Sequence, residues 1–182
     1  MMRELSLNVL DIAQNSIKAK ASLVEIELSE STEKKELLIG IYDNGKGMTP
    51  EQVQSVTDPF FTTRTTRKVG LGIPFFKMSA EMTGGEFEIE SEVGKGTRVK
   101  ALFKTDHLDF TPVGDMCSTV ILLITMNLHV DFIYKRVIDK KEFTVDTRQL
   151  KEILGDVPLN EPSIVSWITD YIKENTKQLR QV

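Results

Sequence analysis

Leu37-Leu38-Ile39-Gly40-Ile41-Tyr42-Asp43-Asn44-Gly45-Lys46-Gly47-Met48 is an unbroken apolar run that ends on a carboxylate and two glycines. The run predicts a central strand ending at Asp43, where a carboxylate is well placed to meet a ligand. Upstream, Val24, Ile26 and Leu28 alternate through a second strand. Downstream, Phe87 and Ile89, then Val99, Ala101 and Phe103, alternate through two more strands joined by a turn at Gly94. Before the first strand, Leu5, Val9, Ile12, Ala13 and Ile17 recur at spacings of three and four, the buried face of a helix. A second stripe on that helix, Glu4, Asn8, Asp11, Asn15 and Lys18, is polar. Taken alone it reads as a solvated face, yet it places Asp11 and Asn15 one turn apart, able to address one ligand. Thr49-Pro50-Glu51 opens a short helix with Thr49 as N-cap, and Gly70 to Thr83 reads as another. A mixed sheet covered by three helices is expected.

Four short motifs in order occupy this region: Asn15, Asp43 to Met48, Gly70-Leu71-Gly72, and Gly94-Lys95-Gly96-Thr97. An acidic residue beside two glycines can face an adenine edge, glycines ahead of a helix let backbone N–H groups approach phosphates, and a helix-borne amide can hold a metal. Together the motifs describe a nucleotide pocket. Asp58 to Val69 has no period, and its threonines with Arg64, Arg67 and Lys68 suit a flap over a polyphosphate, anchored by Phe60 and Phe61. Competing nucleotide motifs fail on spacing. No Gly-x-x-x-x-Gly-Lys-Ser/Thr occurs, and neither Gly45-Lys46-Gly47 nor Gly70-Leu71-Gly72 has the third glycine of a dinucleotide fingerprint.

The order and spacing resemble the GHKL ATPases, the superfamily of gyrase, heat-shock chaperone ATPases, histidine kinases and MutL proteins. Leu10 to Ala21 is similar to the N box, with a MutL-like flavour, and Asp43 to Met48 to the G1 box. Asp58-Pro59-Phe60-Phe61-Thr62-Thr63-Arg64 resembles the F box of histidine kinases, which makes that branch the nearest. The resemblance implies a two-layer α/β sandwich of the GHKL type over residues 1–105, binding ATP and Mg2+. It implies a nucleotide-binding set of Asn15, Asp43, Gly45, Gly47, Met48, Phe60, Arg64, Lys68, Gly70, Leu71, Gly72 and Thr97. Within it, Asn15 would bind magnesium through its amide oxygen. Asp43 would accept from the adenine amino group, and Thr97 would complete that contact through water. In gyrase-like and MutL-like members a glutamate four residues before the asparagine is the general base; here Asp11 holds that place, one methylene shorter, so slow or absent hydrolysis is an open alternative.

The remaining residues, 106–182, fall outside the resemblance and read as a small α+β extension joined near Asp106. A helix is expected from Thr111-Pro112 through Leu128, a hairpin from Val130 to Ile138 and Glu142 to Asp146, then two helices, the second capped by Asn160. The segment either completes the core of the first part or serves as a docking or homodimer module. The whole chain has 182 residues, 40% of them hydrophobic, enough for one core with a small appendage. A net charge of −4 with interspersed signs argues against nucleic acid and anionic membranes as partners. Its longest aliphatic stretch, Val120 to Ile124, is far below a membrane span. The single cysteine, Cys117, permits no internal disulfide and no zinc cluster, and no signal peptide opens the chain, so a cytoplasmic location is expected. His107 and His129, the two histidines, lie outside the boxes, and no phospho-acceptor hairpin precedes the N box. The expectation is a regulatory phosphotransferase acting in trans on a response regulator or other acceptor protein, the alternative a non-catalytic ATP sensor or weak ATPase.

Overall fold

The computed structural model describes residues 3–58 and 71–181. The elements run α1 (Leu5–Lys18), β1 (Leu23–Ser31), β2 (Glu36–Asp43), α2 (Pro50–Thr57), α3 (Gly72–Met82), β3 (Glu86–Glu92), β4 (Gly96–Lys104), α4 (Met116–Met126), β5 (Asp131–Ile138), β6 (Lys141–Asp146), α5 (Thr147–Leu154) and α6 (Pro162–Leu179). The strands form one mixed sheet in the order β3-β4-β2-β1-β5-β6. Among the described residues only the β1–β5 pair is parallel; its register sets Leu23 beside Asp131 and Glu30 beside Ile138. The two strands of the 106–182 segment therefore extend the sheet begun by the first hundred residues.

One face of this sheet is apolar. Val24, Ile26, Leu28, Ile39, Ile41, Val99, Ala101, Phe103 and Phe132 are all buried there against Leu5, Val9 and Ile12 of α1, Phe76 of α3, Val120 and Leu123 of α4, and Ile168 and Ile172 of α6. Phe76 and Phe103, both fully buried, meet with ring centroids 5.5 Å apart. Truncating either to alanine would cost about 3 to 5 kcal/mol, because close-packed neighbours cannot collapse into the gap. Glu25, Glu88, Glu90, Arg98, Lys100 and Lys135, at alternate positions of the same strands, lie on the outer face and stay at least partly exposed, while Gly40 and Tyr42 are buried there. An ion pair links Lys104 to Glu36 across two neighbouring strands of that face. The result is a layer of helices on one side of a sheet whose other side carries charge.

Local signals hold where the chain caps itself. Thr49 and Gln52 make a reciprocal capping box at the start of α2, with Pro50 in the first turn. Three expectations need correction. The helix expected from Thr111-Pro112 begins at Met116, capped by the Asp115 carboxylate. The carbonyls of Pro112 and Val113 instead accept from the free N–H groups of Leu5 and Ser6, each at 2.9 Å, so this segment caps α1. The last helix is capped by Glu161 rather than Asn160, its carboxylate accepting from the N–H groups of Ser163 and Ile164. Asn8, placed on the polar stripe of α1, is fully buried, and among the described residues neither its amide nitrogen nor its oxygen has a partner.

Candidate functional site

The motif residues meet at one end of the sheet, where β2 stops, β4 starts and α1 passes above. Asp43 lies on the apolar face because it is in step with Ile39 and Ile41, and in register with Val24 and Thr97 of its neighbours. Its carboxylate is held at both oxygens. Oδ1 accepts from the Gly45 N–H at 2.8 Å, and Oδ2 accepts from the Ser16 hydroxyl at 2.6 Å. Ser16 is 3% exposed, so this pair works in a low dielectric, where a bond to an ionised group is strong.

Backbone closeness explains the glycines. Gly47 has φ +71°, and a Cβ there would stand 1.9 Å from the Glu92 carbonyl oxygen. Gly96, at φ +121°, would bring one within 1.9 Å of the Asp43 carbonyl oxygen. Any side chain at either place would force the turn after β2 away from the β3–β4 turn. Those two turns are also joined directly, by the Gly94 N–H donating to the Lys46 carbonyl at 2.7 Å. Asn44 secures the other flank: its side-chain oxygen accepts from the N–H groups of Ser22 and Leu23, at 2.9 and 3.0 Å.

Ser91, half-buried on β3, is the hub of the second wall. It accepts from the Met48 N–H at 2.8 Å, donates to the Gly96 carbonyl at 3.0 Å, and lies 2.8 Å from the Thr97 hydroxyl. Met48 and Thr97, far apart in sequence, are thereby fixed to one side chain.

On the helix side, Asp11 stands against the first turn of α3. A Cβ on Gly72 would come within 2.9 Å of the Asp11 Cβ, so the glycine sets how closely the carboxylate approaches that helix end. Among the described residues no side chain caps α3 at Leu71, and uncapped N–H groups at a helix start are a chemistry suited to an anion. Burial pushes the Asp11 carboxyl above the usual carboxylate range, with Lys18 pulling it partly back. Asn15, one turn further along α1, is exposed. An amide and a carboxylate on one helix stripe form an oxygen donor set that suits a hard cation such as magnesium, which takes few protein ligands. Leu71 is 49% exposed beside them. Phe60, Arg64, Lys68 and Gly70 lie outside the described residues.

A hollow of about 440 Å³ opens at the same end of the sheet but on the outer face, lined by Leu23, Glu25, Tyr42, Glu90 and Arg98 among others. Tyr42 and Arg98 alternate with Ile41 and Val99, so they point away from α1. The Tyr42 ring lies over Gly40, and the Arg98 guanidinium stacks 4.1 Å from its centroid. Asp43, Asn44, Ser91, Gly96 and Thr97 also border this hollow, so it backs directly onto the strand ends that carry the site.

Two residues that hold the site, Ser16 and Ser91, were absent from the sequence reading. Ser16 follows Asn15 on the helix and could have been found as its neighbour; Ser91 occupies the inward step after Phe87 and Ile89, where an apolar residue was due.

Comparison with known proteins fits this arrangement. The sequence profile described as histidine kinase-, DNA gyrase B-, and HSP90-like ATPase matches residues 2–107. Sporulation kinase D of Bacillus subtilis is 32% identical over 91 residues, 50% of this chain and 18% of that protein. Sensor protein SrrB of Staphylococcus aureus is 37% identical over 78 residues, 40% of this chain and 13% of that protein. The match thus spans less than a fifth of either relative. The Aquifex aeolicus MutL ATPase domain, solved in complex with ADP, shares the fold with a TM-score of 0.51 at 18% identity, over 85% of this chain and 70% of that one.

Proposed function

The chain belongs to the histidine kinase-, DNA gyrase B- and HSP90-like ATPase family, and we propose that it binds Mg-ATP at the Asp43 end of the sheet and passes the γ-phosphoryl group to a separate protein. The observation that carries the nucleotide reading is the Asp43 carboxylate, held by Ser16 and Gly45 at the mouth of a glycine-built turn. Such an acceptor suits the amino edge of adenine and opposes the carbonyl edge of guanine. Gly47, Met48 and Thr97 would line the base, while Gly70, Leu71 and Gly72 would bring the start of α3 to the phosphates. Phe60, Arg64 and Lys68 are assigned to the flap over the phosphates. Asn15 would hold magnesium, which when bound neutralises phosphate charge and orients the leaving group.

Asp11 is the residue assigned to proton handling. Its carboxyl is raised by burial, which moves a carboxylate toward the range where a base is both free and effective near neutral pH. It stands one turn from Asn15, so it can orient an incoming hydroxyl or water beside the metal. An acceptor in another chain is supported by the placement of His107. That histidine sits in a turn beyond the far end of β4, a strand that runs roughly 23 Å from Thr97 to Lys104 at about 3.3 Å per residue. Its Nδ1 is occupied in a turn, accepting from the Asp109 N–H at 3.1 Å. A cytoplasmic response regulator or similar protein is the class of partner proposed. Incubation with γ-labelled ATP, magnesium and candidate acceptor proteins tests the reading: label should move to an acceptor. Tight ATP binding with no transfer to any acceptor and no hydrolysis would reduce the protein to a nucleotide sensor.

A further inference from the structure

We infer that Ser16 and Ser91 determine base specificity, by fixing the base-facing wall so that it presents hydrogen-bond acceptors only. This rests on the proposed placement of the base at Asp43. A hydroxyl carries one proton. The Gly96 carbonyl cannot donate, so its 3.0 Å bond with Ser91 consumes the serine proton. The 2.8 Å contact between Ser91 and Thr97 must then use the threonine proton, with Ser91 accepting it alongside the Met48 N–H. Thr97 is left with lone pairs and no free hydrogen. From α1, Ser16 gives its proton to Asp43 Oδ2 at 2.6 Å, much closer than the Ile12 carbonyl at 3.4 Å, and Gly45 spends its N–H on Oδ1. The carboxylate can therefore neither rotate nor donate.

Asp43 and Thr97 are cross-strand partners on the same face, so the two acceptors form one wall. A 6-amino purine meets this wall with a donor, directly or through a water. A 6-oxo purine sets a carbonyl lone pair where the 6-amino donor stood, so the Asp43 carboxylate is opposed there, and the only donor left on that edge is N1–H, one position away. Were Thr97 free to turn its hydrogen outward, it could serve either base. Ser91 removes that freedom, and Ser16 removes the corresponding freedom of Asp43. Both serines act through another residue and are positioning residues.

The test compares ATP with inosine triphosphate, which shares the sugar, phosphates and magnesium and differs in carrying a 6-oxo group and a proton on N1. Affinities are measured by titration calorimetry on the full chain. The parent should favour ATP by about tenfold or more. Ser91→Ala should cut the ATP to inosine triphosphate ratio about fivefold, and Ser91→Thr, which keeps the hydroxyl, should restore it. Ser16→Ala should lower the ratio in the same direction. Thr97→Val, which leaves the Met48 anchor intact, should weaken ATP and spare inosine triphosphate, testing the wall even if Ser91→Ala loosens the fold. Ratios unchanged in both serine variants, or both nucleotides weakened equally, would overturn the inference. Asp43→Ala separates this failure from that of the parent reading: unchanged ATP affinity there would refute base placement itself, whereas a loss there with parent-like ratios in the serine variants would sink only the role of the serines.

Discussion

Replacing Asn8 by alanine should stabilise the protein, although it removes a buried side chain. The Asn8 amide is 0% exposed, and both of its polar atoms lack a partner among the described residues. An unsatisfied buried polar group costs about 1 to 3 kcal/mol, because it surrendered its bonds to water for none in the fold. Alanine also suits a helix interior better than asparagine, by about 0.6 kcal/mol. Against these stands the cavity left by the amide, about 1 kcal/mol for a gap of that order. The balance is a gain of about 1 to 2 kcal/mol. For a chain of this length that corresponds to a rise in Tm of roughly 2 to 8 °C, at about 2 to 4 °C per kcal/mol. Calorimetric melting of the parent and Asn8→Ala, with urea titration as a second measure, reads the difference. A loss of 1 kcal/mol or more would show that the amide has partners in solution and that the reasoning fails. The sign bears on function as well, since α1 carries Asp11 one turn away, and a costly polar group retained beside a site is where stability yields to activity.

Asp11→Asn should leave ATP affinity within a few-fold and lower turnover or partner phosphorylation by about 100-fold, as expected for loss of a general base; turnover that survives would return Asp11 to a solvation role. The same variant has a pH signature. Since burial raises the folded Asp11 carboxyl above its unfolded value, its contribution to stability is present at low pH and is lost as pH rises through the folded carboxyl's titration. Parent and variant should melt alike near about pH 3, and the variant should gain as pH climbs through the carboxylate range; a gain that grows toward acid would invert the argument. Asn15→Ala should weaken nucleotide binding mainly in the presence of magnesium, because the lost oxygen belongs to the metal. Equal losses with and without magnesium would reduce Asn15 to a helix-surface residue.

The elements that could be read in the sequence were those whose causes are local. Leu5, Val9, Ile12 and Ala13 bury the face their spacing marked, and Thr49-Pro50 starts α2 through bonds to residues three positions away. What escaped has distant causes. Asn8 adjoins the apolar stripe of α1, and whether it meets water or protein depends on the helices that pack on α1 from far along the chain, α3 and α4. Pro112 and Val113 are kept out of α4 by the bare N-terminus of α1 at the other end of the chain. Asn160 is the better N-cap by propensity, but Glu161 reaches two N–H groups at once. Within the candidate site, Asp43, Gly47 and Gly96 were legible because a strand end and close backbone approach leave a mark on residue type. Ser16 and Ser91 were not. Their partners lie 27 and 43 residues away, and a serine carries no mark of the hydroxyl's partner.

The central claim is that the carboxylate at the end of β2 reads the base of ATP, and titration calorimetry of ATP against the parent and Asp43→Ala tests it most directly, with circular dichroism confirming the fold of both. Loss of a hydrogen bond to a charged group, about 1.5 to 3 kcal/mol, predicts an affinity reduced roughly 10- to 150-fold. Equal affinities in the two folded proteins would contradict the account and remove Asp43 from the pocket.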